Sequence, residues 1–172
     1  MQNIHDQLIE ECMTTYKNGL NKVKQLLKHG ANVNFIDGTG ASPLRMAAKW
    51  SKLHSTEDTV KLLIDAGADV NACDGNGWSA LMIAACNTTY FSTNNTIRIL
   101  INAGANINTQ NRVGNTVLMS AAQVSNHCNT EETIEILLNA GADLTIKNNA
   151  GQTVFDLVHP DKINMIQKLI KY

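Results

Sequence analysis

The sequence predicts an all-α solenoid of stacked helix–loop–helix units with projecting turns, three full repeats lying between N- and C-terminal capping repeats. Two observations carry this reading. Glycines recur at a fixed step of 37 residues, Gly40, Gly77, Gly114 and Gly151 in one series and Gly30, Gly67, Gly104 and Gly141 in the other. A fixed period of roughly 20–50 residues marks a stacked repeat architecture. Between the glycines, apolar residues return at helical spacing: Val60, Leu63 and Ile64, then Ile97, Leu100 and Ile101, then Ile134, Leu137 and Leu138. Spacings of three and four build one apolar helical face. A single unit cannot bury that face, but stacked neighbours can, so the core runs the length of the array.

The elements follow in order. Residues 1–37 read as a capping repeat. Residues 1–17 form an amphipathic helix with Ile4, Leu8, Ile9 and Cys12 or Met13 inward, and Asn18-Gly19 is a turn. Val23, Leu26 and Leu27 line a second helix that ends at Gly30. Full repeats are expected at 38–74, 75–111 and 112–148. Asp37, Asp74, Asn111 and Asn148 each stand three residues before a glycine, and such short polar side chains close turns on their own backbone. Ser42, Ser79, Thr116 and Thr153 suit helix N-caps, and Pro43 suits a first helical turn. Ala47-Ala48, Ala84-Ala85 and Ala121-Ala122 put paired methyls where two helices approach closely. Thr56, Thr93 and Thr130 are candidate caps of the second helices. The last unit, 149–172, carries a short helix limited by Pro160. Asp161 is then placed to cap a final helix with Ile163, Ile166, Leu169 and Ile170 on its apolar side.

At this level SPLRMAA, SALMIAA and TVLMSAA resemble the T-P-L-H-x-A-A signature of ankyrin repeats, and AGADVN, AGANIN and AGADLT resemble the family's helix-to-loop exit. The resemblance covers nearly the whole chain. It implies a curved solenoid whose usual role is to hold another protein without catalysis. Two departures stand out. Arg45, Met82, Met119 and Asp156 occupy the position of the signature histidine, which in the family ties neighbouring repeats by hydrogen bonds. The period is also about four residues longer than the family's roughly 33. The excess falls at 49–55, 86–92 and 123–129, where the first helix or its outgoing loop is a turn longer. Three such extensions should form a ridge along one edge. Asp69-Val70-Asn71 and Asn106-Ile107-Asn108 further resemble a site at which an asparaginyl hydroxylase modifies ankyrin repeats. The simpler reading is that Asn71 and Asn108 hold the turn by bonding to its backbone.

Composition narrows the function. Lys and Arg number 14 and Asp and Glu 15, a net charge of −1. That balance argues against charge-driven binding to nucleic acid or a membrane surface. No apolar run approaches the roughly 20 residues of a membrane span, and no signal peptide is visible. Cys12, Cys73, Cys86 and Cys128 are scattered without a C-x-x-C pair, which reads as reduced thiols in a cytoplasmic protein and not as a metal site. Gly38-x-Gly40 and Gly75-x-Gly77 lack the strand and lysine of a phosphate loop. No cofactor and no catalytic residues are expected. His54 and His127, in the extensions, read as surface residues.

The expected function is a non-catalytic, monomeric scaffold for an unknown partner protein. Alternatives are an inhibitory or structural module dedicated to one co-expressed enzyme, or an effector of an intracellular microbe or virus acting on a host protein. Repeat proteins bind along their concave surface. Here that surface should combine the turn tips Thr39, Ala41, Asn76, Trp78, Arg112, Val113, Asn115 and Gln152 with the first-helix positions Lys49, Trp50, Cys86, Asn87, Gln123 and Val124. These residues differ from unit to unit while the packing positions repeat. Tyr90 and Phe91, in the second extension, are further candidates, since aromatic side chains on an open face anchor partners.

Overall fold

In a computed structural model, residues 3–14, 19–52, 57–88, 90–123, 130–158 and 160–170 are described. Among them are ten α-helices arranged in two rows. The first helices of the units are α1 (Ile4–Met13), α3 (Pro43–Lys49), α5 (Ala80–Asn87), α7 (Val117–Gln123) and α9 (Val154–Leu157). The second helices are α2 (Gly19–Lys28), α4 (Glu57–Asp65), α6 (Asn94–Asn102), α8 (Thr130–Asn139) and α10 (Pro160–Ile170). Within each row every helix packs on the next. One core cluster therefore runs from Leu8 through Leu63, Leu100 and Leu137 to Ile166, all fully buried. The paired alanines from Ala47 to Ala122 are buried where first helices meet.

Local chemistry explains the element ends. Ser42, Ser79 and Thr116 accept the amide N–H three residues on, at 3.4, 3.2 and 3.2 Å. At the last unit the backbone N–H and hydroxyl of Thr153 both donate to Asp156, each at 2.8 Å. Thr93 caps α6 by accepting from Thr96 N–H. Thr56 lies outside the described residues, and α8 begins at Thr130 itself. Gly104 shows why the second helices stop: at φ +88° it turns the chain, and Ala105 N–H reaches back to Leu100 O at 3.0 Å.

Two expectations change and one left open between helix and loop is narrowed. Helix α1 ends at Met13, with Thr14 extended, and it turns Cys12 inward while Met13 is exposed. Helix α10 starts at Pro160, so Asp161 falls inside it and is not its cap; a proline fits a first helical turn because its missing N–H would be unpaired there anyway. In the first and second full repeats the extra residues do not lengthen the first helices, which end at Lys49 and Asn87. The described ones, 50–52, 88 and 90–92, lie in the outgoing connections. In the second repeat the N–H groups of Tyr90, Phe91 and Ser92 all converge on Asn87 O, closing a turn where another helical turn could have continued.

The connections hold neighbouring repeats together. Lys52 N–H donates to Phe91 O at 3.0 Å, joining the first extension to the second. Beneath it, the buried hydroxyl of Thr96 donates to Ser51 at 2.7 Å, and Ser51 lies 3.2 Å from Ser92. One repeat later the Thr133 hydroxyl donates to Asn94 Oδ1 at 2.8 Å and stands 3.3 Å from the Thr88 hydroxyl. Thr96 and Thr133 are one period apart, as are Ser51 and Thr88, so the same hydroxyl pairing recurs. The third extension, 124–129, lies outside the described residues, as do His54, His127, Cys128 and Val124.

Candidate functional site

Each projecting turn is closed by its own Asx residue, as the sequence predicts. Asp74 Oδ1 accepts the N–H groups of Asn76 and Trp78, both at 2.9 Å. Asn111 Oδ1 accepts those of Val113 and Asn115 at 3.1 and 3.0 Å. Asp37 and Asn148 do the same for Thr39 and Ala41 and for Ala150 and Gln152. Successive turns are then set edge to edge. Arg112 N–H donates to Asn76 O at 2.8 Å, and Asn149 N–H to Val113 O at 3.1 Å. Gly77 must be glycine twice over: its φ is +78°, and a Cβ there would sit 2.8 Å from Asn111 Cα.

This register brings six of the candidate residues to one place. Asn76, Trp78, Arg112, Val113, Asn115 and Gln123 line a groove of about 400 Å³ between the second and third turns. Its sides are uneven in character. Trp78 is half-buried and leans on the core, Val113 is 58% exposed, and Arg112 is exposed. Asn115, on the floor, is fully engaged: it donates to Gln123 Oε1 at 3.1 Å and accepts from Asn148 at 2.9 Å. Ser120 also lines the groove. It is buried, and its hydroxyl has no hydrogen-bond partner among the described residues. The equivalent positions one and two periods earlier are Ile83 and Met46. The small serine leaves unfilled the space that those long side chains occupy in their own repeats. Ser120 was not among the sequence candidates, although its break with the apolar residues at that position was a readable signal.

The remaining candidates lie elsewhere. Trp50, Phe91, Tyr90 and Lys49 form an aromatic cluster on the extensions. Trp50 meets Phe91 edge-on with centroids 4.8 Å apart, Tyr90 stands 6.0 Å from Phe91, and the Lys49 ammonium lies 5.0 Å from the Trp50 ring. Tyr90 is the open member, at 58% exposure. The two tryptophans thus belong to different neighbourhoods. Asn87 is spent on its own helix, donating to Ile83 O at 2.7 Å. Burial pushes the Cys86 thiol up to about 12, so it stays protonated at neutral pH. Thr39 donates to Asp37, Ala41 is half-buried in the first turn, and Gln152 accepts from Asn148 in the last.

The four residues at the signature histidine position behave in three ways. Met82 and Met119 are buried apolar packing. Asp156 serves the Thr153 cap. Arg45 alone makes a tie between repeats. Almost wholly buried, it donates to Gly40 O and pairs with Asp74 Oδ2 at 2.8 Å. Burial pulls its pKa down, and the neighbouring Asp74 carboxylate pushes back. Where the network of the histidines is missing, asparagines supply another. The amides of Asn34, Asn71 and Asn108 donate to Gly67 O, Gly104 O and Gly141 O at 3.0, 3.1 and 3.4 Å. Their oxygens accept from the N–H of Asp69, Asn106 and Asp143 at 2.7, 2.8 and 2.9 Å. Asn71 and Asn108 therefore bond not to their own turn, as the sequence suggested, but to the next repeat's helix exit.

Among the described residues no group of three His, Cys, Asp or Glu side chains could hold a metal, and no helix is long and apolar enough to cross a membrane. Paired helices joined to Asx-closed projecting turns, repeated along one stack, define a helical repeat solenoid. The family model described as ankyrin repeats (3 copies) matches residues 12–111 and, overlapping, 52–148. The chain belongs to the ankyrin-repeat family, whose members are generally protein–protein interaction modules and generally not catalysts. Comparison with curated proteins finds no match to this chain.

Proposed function

We propose that this chain is a non-catalytic scaffold that holds a partner protein on its turn-tip face, with the groove between the second and third turns at the centre of contact. One observation carries the reading: most positions lining the groove hold a residue that no other unit shares there, over a frame that repeats. The position of Trp78 holds Ala41, Asn115 and Gln152 in the other units, and that of Arg112 holds Gly38, Gly75 and Asn149. Stacking needs no such variety, since the buried alanines and leucines recur unchanged. Tryptophan and arginine are also among the residue types most enriched where binding energy concentrates.

The test is affinity capture from a native extract with three forms of the full chain. Wild type and Glu135→Lys, altered on the second-helix side, should retain the same protein. Trp78→Ala should weaken its retention by about 2 kcal/mol or more. Equal retention by all three forms would remove the groove from the contact.

A further inference from the structure

We infer that the segment held in this groove is an extended peptide stretch with an apolar side chain and, a few residues away, a carboxylate: the first seated against Trp78 and Val113, the second paired with Arg112. The inference rests on the scaffold reading above and specifies its partner. Charge decides it. The chain has three arginines. Arg45 pairs with Asp74 and Arg98 with Glu132 at 3.0 Å. Arg112 has no carboxylate partner among the described residues, although it stands exposed at the mouth of the groove. The lining around it holds no acidic residue. Of the two turn-closing residues that flank the groove, Asp74 is already paired with Arg45 at 2.8 Å, and Asn111, next to Arg112 in the chain, is a neutral amide. An aspartate at 111 would offer the guanidinium a carboxylate from within the groove lining. The amide leaves it for a ligand, and its planar fork of donors matches a carboxylate.

The rest of the groove fits the remainder of such a segment. Val113 and the open face of Trp78 offer apolar surface. The unpartnered Ser120 hydroxyl lies below them, where an extended peptide's backbone brings both donors and acceptors. A single cation among amides does not suit a nucleic-acid backbone, whose binding neutralises several phosphates at once.

The experiment selects a random peptide library, displayed on phage, against the immobilised full chain. Synthetic copies of the enriched peptides are then titrated by fluorescence anisotropy. Enriched sequences should share Asp or Glu within a few positions of an apolar residue. Trp78→Ala should weaken them about 30-fold, a hot-spot loss. Arg112→Glu should weaken them about tenfold or more through like-charge repulsion. Arg112→Gln should weaken them less, and Glu135→Lys not at all. Arg112→Gln also serves if Trp78→Ala loosens its turn, which circular dichroism melting reveals. Peptides that lack an acid, or that bind Arg112→Glu as well as wild type while still needing Trp78, would overturn the carboxylate preference and leave the groove reading standing. Peptides indifferent to Trp78→Ala would overturn both. Failure to enrich any peptide would overturn the linear segment.

Discussion

At the junction between the first and second full repeats, a buried arginine holds the turns. Arg45 reaches from its own helix to Gly40 O and to the carboxylate of Asp74 in the next turn. At the following junctions the same two positions hold Met82 with Asn111 and Met119 with Asn148. There the turns approach until backbone meets backbone, Arg112 N–H on Asn76 O and Asn149 N–H on Val113 O. A Cβ on Gly40 would find Asp74 Cβ at 3.5 Å, an ordinary contact, whereas one on Gly114 would lie 2.6 Å from Asn149 N. Charge and carboxylate change together, and so does the spacing of the turns. A buried cation requires a counter-charge, and a methionine requires none.

The largest test of that contrast is to convert one junction into the other. Arg45→Met alone should cost about 3 kcal/mol, because it strands a partly buried carboxylate and removes the donor to Gly40 O. Adding Asp74→Asn reproduces the chemistry of the next junction and should recover most of the loss, a coupling of about 2 kcal/mol in chemical denaturation. A double variant as unstable as the single one would mean that the junctions are not interchangeable.

Next comes turn spacing. Gly40→Ala should cost about 1–2 kcal/mol, the strain of a left-handed alanine. Gly77→Ala should cost about 1–3 kcal/mol more, since backbone of the next turn must also shift. Equal losses in thermal melting would show that the close approach carries no energy.

The hydroxyl pairs in the extensions should matter equally at both ends of the comparison. Thr96→Val removes the donor to Ser51, and Thr133→Val removes the donor to Asn94 Oδ1 and the neighbour of the Thr88 hydroxyl, so each should lose about 1–2 kcal/mol. A loss confined to Thr96 would restrict the clasp to the junction where Lys52 N–H also bonds Phe91 O.

The smallest effect concerns acid. Burial pushes the Asp37 carboxyl up, but hydrogen bonds from the Thr39 hydroxyl and the N–H groups of Ala41 and Thr39, with Arg45 nearby, outweigh it and hold the group below its ordinary range. A folded-state value below the unfolded one, about 3.9, gives stability that is complete above that pH and lost as pH falls through the lower folded value. The turns closed by Asn111 and Asn148 have no such proton to take up. Hydrogen exchange below about pH 4 should therefore release Thr39 and Ala41 N–H before Val113 and Asn115. Simultaneous release would separate acid sensitivity from the turn carboxylates.

The sequence by itself determined the period, the helix stops at Gly67, Gly104 and Gly141, the serine and threonine caps and the Asx-closed turns. Apart from the period, each depends on groups within about five residues of one another, where backbone geometry leaves few arrangements, so residue type and spacing suffice. The coupled exchange of Arg45 and Asp74 for Met82 and Asn111 was also on the page, once repeats are compared with each other. Only the tertiary structure decided what crosses between repeats. It sent the Asn71 and Asn108 amides to the next helix exit, turned the second repeat's extra residues into a connection, parted Trp50 from Trp78, and opened the groove over Ser120. Those outcomes follow from the offset between stacked units, which is set by the packing of buried side chains over the whole interface and by no local signal.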